Sequence, residues 1–305
     1  MFPSASASAS WSAWSDLPDT FRVDAATLAE TLDGGQAFRW HPGTEAGGWV
    51  GVWDRCLGEV GGTDRDTLRW RTPVVRGRPL CTSGQLERYL GYDRDWEALA
   101  DTLPWRSDPH LDRCLRGFPR LRLLRQPFGE TLLGFLCSAT KQIVQIKQMM
   151  ALLAQRHGAE IVPGIHPLPT WLELSRVSEK DLRQCLLGFR ARFIHRTAIF
   201  LAENPGWLEE TEKAPYAVAK ERLCQLPGVG EKVADCVLLF GAGQLEAFPV
   251  DVWILRALAV RYGLEGWKPA LVAQFGRIHF GAYAGLAQQY LFAWERRHGR
   301  PQSGR

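Results

Sequence analysis

The stretch LPGVGEKVADC, residues 226–236, decides the fold. Before it, PYAVAKERLCQ (215–225) reads as one helix; after the turn, EKVADCVLLFG (231–241) reads as a second. The two form a helix-hairpin-helix. Gly228 and Gly230 let the backbone turn sharply and approach a ligand without Cβ atoms in the way, so N–H groups at the second helix start can face a phosphate. Lys232 sits in the first turn of that helix, where the positive end of the macrodipole ordinarily favours Asp or Glu. A cation there has two readings: it points to solvent, or it is placed to lose its proton.

Further along, FPVDV (248–252) puts Asp251 after a proline and before an apolar-periodic segment, the pattern of a helix N-cap that can also face a cleft. Apolar residues at three and four spacing run through PFGETLLGFLCSAT, QIVQIKQMMALLAQRHG, SEKDLRQCLLGFRARFIHRTAIFLAE and AYAGLAQQYLFAWERR, so the second part of the chain reads as a bundle of short helices. The first part differs. From residue 20 to 75, short Trp-, Val- and Thr-containing segments alternate with Gly-rich or Asp-rich turns, a strand-and-hairpin pattern. The segment SGQLERYLGYDRDWEALADTLPW bridges the two as helix. The expected class is therefore α+β: a Ser/Ala-rich disordered tail over 1–16, an antiparallel β-rich domain over 17–108 and an all-α domain over 109–300. No strands alternate with the helices, which excludes an α/β fold.

With 305 residues, 46% of them hydrophobic, the chain can fill a real core. No apolar run reaches the roughly 18 residues of a membrane span. MFPSASASASWSAWS lacks the basic start and apolar core of a secretory signal, and it has no Arg to suggest a transit peptide. The expectation is a cytoplasmic, nucleoid-associated protein, or a nuclear one in a eukaryotic source. Seven cysteines without a C-x-x-C pair fit neither a disulfide framework nor a zinc site, and read as reduced thiols. A net charge of +4 is too small to identify a polyanion partner, although Arg183, Arg190, Arg192, His195 and Arg196 gather in one short segment.

Six separated motifs carry a resemblance: GGQAFRW (34–40), RLLRQPFGETLLGFLCSAT (122–140), LGFRARF (187–193), LPGVGEKVADC (226–236), FPVDV (248–252) and YAGLAQQYLF (283–292). In this order the chain, from about residue 18 to 297, resembles the helix-hairpin-helix DNA glycosylases and, within them, the 8-oxoguanine DNA glycosylase branch. The resemblance implies base excision repair on double-stranded DNA containing 8-oxoguanine. An enzyme that removes such a base must flip the nucleotide out of the duplex. The implied nucleophile is Lys232, which would attack the sugar carbon, expel the base and form a Schiff base that permits strand cleavage by β-elimination. Asp251 would stabilise positive charge on the sugar.

The resemblance also implies that the Gly35 carbonyl accepts the N7 hydrogen found on 8-oxoguanine and not on guanine. Cys236 and Phe292 would sandwich the flipped ring, and Gln288 would bind its Watson–Crick edge. Phe189 would wedge beside the vacated site while Arg190 reaches the orphaned base. Gly228, Gly230, Thr140 and Lys141 complete the expected DNA contacts. The chain departs from the family where Ala139-Thr140-Lys141-Gln142 replaces an Asn-rich run, where Gln145 stands for an arginine and where Trp253 stands for a histidine; the first two put strict preference for an opposite cytosine in doubt. A monomer is expected, with no metal ligand and no organic cofactor. An iron–sulfur relative is disfavoured because no cysteine follows Cys236. Two alternatives stay open: a monofunctional alkylated-purine glycosylase, which normally lacks the hairpin lysine, and a non-catalytic DNA-binding module in which Lys232 is one more cation.

Overall fold

The computed structural model describes residues 10–18, 22–43, 45, 47–62 and 67–299. The N-terminal part holds strands β1 (Ser10–Trp11), β2 (Ser15–Asp16), β3 (Trp40–Pro42), β4 (Trp49–Trp53), β5 (Cys56–Gly62), β6 (Leu68–Arg71), β7 (Pro73–Val75) and β8 (Arg78–Pro79), with helix α1 (Ala25–Asp33) after β2. They pair antiparallel in the orders β2-β6-β5-β4-β3 and β1-β7-β8. Trp53 pairs with Cys56 across the two-residue turn Asp54-Arg55, and Asp54 takes the positive φ of 48° that such a tight hairpin demands.

Helices follow: α2 (Ser83–Tyr89), α3 (Trp96–Asp101), α4 (Pro109–Gly117), α5 (Phe128–Cys137), α6 (Ile143–His157), α7 (Trp171–Leu174), α8 (Glu179–Leu182), α9 (Arg190–Glu203), α10 (Trp207–Lys213), α11 (Tyr216–Cys224), α12 (Glu231–Val237), α13 (Val252–Tyr262), α14 (Pro269–Phe280) and α15 (Ala284–His298). Their starts carry the expected chemistry. Asp24 caps α1, Thr82 with Gln85 forms a capping box on α2, and Asp108 caps α4. The architecture is the α+β arrangement anticipated, an antiparallel sheet region followed by a helical domain.

Three readings need correction. Of the tail expected over 1–16, residues 1–9 lie outside the described residues, but Ser10–Trp11 and Ser15–Asp16 pair as strands with β7 and β6. Aromatic–cation contacts explain the difference: the Arg69 and Arg71 guanidiniums lie 4.6 and 4.5 Å from the Trp14 ring centroid. Second, the bridging segment is two helices serving two cores. Leu86 and Tyr89 of α2 pack on the sheet side with Trp40, Trp53 and Val60, whereas Trp96 and Ala100 of α3 pack into the helical core, so the seam falls ahead of residue 96 and not at 108. Third, 178–203 is not one continuous helix. Leu186 and Gly188 have φ of 62° and 58°, which breaks the run between α8 and α9.

Hydrogen bonds from three residues, Gln36, Arg39 and Asp54, lock the seam. Gln36 donates to the Arg122 carbonyl (2.9 Å), accepts from Leu124 N–H (2.9 Å) and offers its own carbonyl to Gln126 (2.6 Å). Arg39 donates to the carbonyls of Met150 and His166. The Asp54 N–H at the β4–β5 hairpin tip donates to Glu130 in the first turn of α5 (2.9 Å), and burial raises that carboxyl pKa to about 7.

Candidate active site

The hairpin is built by packing as much as by its turn. Gly228 has a φ of +80°, and a Cβ there would lie 2.5 Å from the Phe193 ring, so only glycine lets α9 close on the loop. Gly230 is the N-cap of α12 and supplies no side-chain cap, leaving the N–H groups of the first turn for an outside acceptor. Behind them, buried Asp235 accepts from Tyr216 Oη (2.7 Å) and Lys220 Nζ (3.1 Å), bracing α11 against α12. Sequence reading missed Asp235; a lone carboxylate inside the apolar run VADCVLLF was its signal.

Lys232 lies half-buried in the first turn of α12. Its Nζ is 3.4 Å from Ser138 Oγ and 5.2 Å from the Phe135 ring centroid. One turn on, Cys236 is buried and its thiol pKa is pushed up to about 12 by burial, with the hydrogen bond and charge of Lys232 acting the other way. Asp251 caps α13, Oδ1 accepting from Trp253 N–H (3.0 Å) and Ile254 N–H (2.9 Å). Burial raises the Asp251 pKa, opposed by the Ile254 N–H bond and the nearby Lys232 charge. An amine and a thiol one turn apart on α12 thus converge with a carboxyl at the start of α13.

The flanking positions sort themselves around this centre. Gln288 on α15 is 4% exposed; its Nε2 donates to the Pro249 carbonyl (3.1 Å), and its buried Oε1 has no partner among the described residues. A buried amide oxygen left unpaired costs free energy, so it marks a place where a ligand donor belongs. Phe292 lies one helical turn further along. A methyl group at Gly35, whose φ is +107°, would stand 3.1 Å from Ile143 Cδ1 and 3.7 Å from Phe292 Cε1. Gly35, Ile143 and Phe292 therefore share one wall, and Gln36 holds the loop in place through the seam contacts above. Ile143, Ser138 and Phe135 were not legible as site residues, because an apolar helix face looks the same whether it lines a core or a cleft.

The wedge pair separates. Phe189 is 51% exposed at the turn into α9, and Leu186, which sequence reading passed over, is exposed beside the same turn. Arg190 is 3% exposed. Its guanidinium donates to the carbonyls of Ala139 and Leu187 and to Thr140 Oγ1, and lies 4.4 Å from the Phe189 ring centroid. In this DNA-free structure the Arg190 guanidinium, expected at an orphaned base, is held by these contacts beneath Phe189. Thr140, at a φ of 54°, receives that bond, while the Lys141 side chain makes no hydrogen bond or ion pair among the described residues. Gln145 is occupied too, its Oε1 accepting from Gln142 N–H at the start of α6.

A cavity of about 630 Å³ between Pro127–Glu130, Pro167–Trp171 and Pro205–Glu209 contains none of these residues. Among the described residues, no group of three or more His, Cys, Asp and Glu side chains could hold a metal ion, and no helix is long and apolar enough to cross a membrane.

Comparison with known proteins follows the same lines. Residues 20–132 match the family model of the 8-oxoguanine DNA glycosylase N-terminal domain. The chain is 37% identical over 204 residues to an N-glycosylase/DNA lyase of Arabidopsis thaliana, covering 62% of this chain and 56% of that one. It is 41% identical over 125 residues to a probable N-glycosylase/DNA lyase of Methanothermobacter thermautotrophicus, covering 41% and 40%. The matches thus span about half the length of these curated relatives. In structure it superimposes on the Clostridium acetobutylicum 8-oxoguanine glycosylase/lyase in complex with double-stranded DNA containing cytosine opposite 8-oxoG, with a TM-score of 0.81, 28% identity, and coverage of 95% of this chain and 99% of that one. Sheet, hairpin and relatives agree: the chain is similar in sequence to N-glycosylase/DNA lyases and shares over nearly its whole length the fold of an 8-oxoguanine glycosylase/lyase.

Proposed function

We propose that the protein excises 8-oxoguanine from duplex DNA and nicks the strand as a bifunctional N-glycosylase/lyase. The observation that carries this is the convergence of Lys232 and Cys236 on α12 with Asp251 at the start of α13, behind a hairpin whose N–H groups have no side-chain cap. The names of the relatives, N-glycosylase/DNA lyase, support it. The first-turn N–H groups of α12 grip a phosphate of the damaged strand. Phe189 and Leu186 enter the duplex where the nucleotide leaves it, their exposed apolar surface going against bases.

In the pocket, Phe292 and Cys236 hold the faces of the flipped ring and Gln288 Oε1 accepts from its edge, which gives that orphaned oxygen its partner. The Gly35 carbonyl takes the N7 hydrogen. Guanine would offer a lone pair there instead, leaving two buried acceptors unpaired. Lys232 Nζ, in its neutral form, attacks C1′: the N–C1′ bond forms, the bond from C1′ to the base breaks, and the base leaves with the electron pair and picks up a proton. Asp251 stabilises the positive charge that grows on the sugar. Opening of the sugar gives a Schiff base, and loss of the C2′ proton expels the 3′ phosphate.

Trapping tests this directly. The protein is mixed with a duplex carrying one 8-oxoguanine in the presence of borohydride, beside Lys232→Gln. A covalent protein–DNA adduct with the native chain alone is the expected result. An alkali-labile site without an adduct would assign the attack to water. Unchanged DNA with intact binding would support the non-catalytic module instead.

A further inference from the structure

The geometry points to two ion pairs, Asp33–Lys147 and Glu30–Arg296, as positioning residues that hold the Gly34–Gly35 loop against the base pocket and so set selectivity for the oxidised base. That role rests on the proposed excision, in which the Gly35 carbonyl takes the N7 hydrogen. Helix α1 ends in this loop, with Glu30 and Asp33 in its last turn, Gly34 as its C-cap and no basic residue in that turn. The negative end of the helix dipole disfavours carboxylates there, so their cations have to come from elsewhere in the fold. They come from two helices. Lys147 Nζ on α6 donates to Asp33 Oδ1 (2.7 Å), and the Arg296 guanidinium on α15 donates to Glu30 Oε2.

These are the helices that make the wall beside Gly35. Ile143 opens α6 and Lys147 follows one turn on; Phe292 lies on α15 and Arg296 follows one turn on. Wall contacts and ion pairs therefore occupy adjacent turns of the same two helices, and the loop is fixed between them. Gly34 takes part, because a Cβ there would stand 2.4 Å from Glu30 Oε1; its absence lets the carboxylate fold back against the loop. The Lys147 side chain is 13% exposed and Glu30 is buried, so both pairs are shielded from the screening that weakens surface pairs. Burial raises the Glu30 pKa, with the charge and hydrogen bond of Arg296 acting the other way.

The other face of α1 explains why the pairs govern placement more than folding. Leu28 and Leu32 pack into the sheet-side core, so α1 is anchored to the sheet without them. Lys147 and Arg296 instead belong to the helical part that carries Lys232. Gln36 and Arg39 tie the chain after the loop to the helical part, and Glu30 and Asp33 tie the chain before it. A hydrogen bond weakens steeply once its alignment is lost. Freeing one side of the loop therefore costs the contact to N7 before it costs the fold.

The test follows two single-turnover reactions with the full chain: release of base from a duplex carrying 8-oxoguanine, and nicking of a duplex carrying an abasic site, which has no base to read. Asp33→Asn, Lys147→Met and Glu30→Gln are expected to slow base release by roughly 10-fold while abasic nicking stays within about 2-fold of native. The Asp33→Asn/Lys147→Met double variant is expected to be no slower than the slower single one, as for two members of one pair. Urea melts identify any variant that has not folded; Asp33→Asn then decides, since Asp33 is the most exposed of the four side chains. Equal losses in both reactions would mean that the pairs only support the fold, and unchanged base release would mean that the loop does not need them. Either result overturns this role and leaves the excision reading standing. A native chain that releases no 8-oxoguanine overturns the excision reading, and this role with it.

Discussion

Asp251 serves two roles that set opposite demands on its proton. As the cap of α13 it accepts two N–H groups, and as a buried carboxylate it suffers desolvation, which holds its pKa above the usual range. Its contribution to stability is therefore full below the unfolded carboxylate value of about 3.9 and is lost as pH rises through the folded value. Asp251→Asn keeps a good cap and removes the buried charge. The expected outcome is a melting temperature at pH 7.5 equal to or above the native one, with base release slowed by about 100-fold or more. Thermal melts and single-turnover assays read the two effects; a lower melting temperature would mean that attraction to Lys232 outweighs the burial. At this scale the residue types were readable and their partners were not. Lys232 and Asp251 could be named from LPGVGEKVADC and FPVDV, but Ser138, Phe135 and Ile143 become neighbours only through packing.

The two hairpin glycines are alike on paper and differ in the folded element. At Gly228 a side chain meets both a left-handed φ and the Phe193 ring; at Gly230 the backbone is extended and nothing lies within 4 Å of a built Cβ. Gly228→Ala is expected to lose about 1–3 kcal/mol of stability. Gly230→Ala should stay within about 1 kcal/mol of the native fold while its duplex affinity falls several-fold, because the added methyl would stand where the proposed function brings a phosphate. Urea melts and anisotropy titrations at one fixed salt concentration separate the two. Equal losses of stability would remove the distinction. The break at Leu186–Gly188 shows the limit of periodicity. Leu182, Cys185, Leu187, Ala191 and Ile194 are all buried, so the apolar rhythm runs straight through a turn that leaves Leu186 exposed.

Across the whole molecule, the sheet and the helices meet through polar contacts, and Glu130 brings a carboxyl to that seam. Its pKa is raised to about 7 by burial, with Arg39 opposing. The stability it contributes is full below the unfolded carboxyl value and disappears as pH rises through about 7. Glu130→Gln keeps the acceptor for the Asp54 N–H without the charge. Between pH 4.5 and 8 the native chain is expected to lose roughly 2–3 kcal/mol relative to that variant, measured by urea unfolding at each pH. Parallel curves for the two proteins would show that the hairpin tip does not feel the carboxyl's ionisation.

What the sequence determined by itself was whatever is written locally: a helix-hairpin-helix from two apolar-periodic segments around LPGVG, a capped helix behind FPVDV, a β-rich first part from alternation and turns, and the lysine and aspartate to which the proposed chemistry is assigned. Tertiary structure decided what depends on distance between remote residues. It pulled Arg190 inward onto Ala139 and Thr140, left the Gln288 oxygen without a partner among the described residues and paired Ser10–Trp11 with β7. The physical reason is that caps, turns and periodicity follow from neighbours within about four positions. Burial and hydrogen-bond partnership instead depend on which distant segments the core draws together.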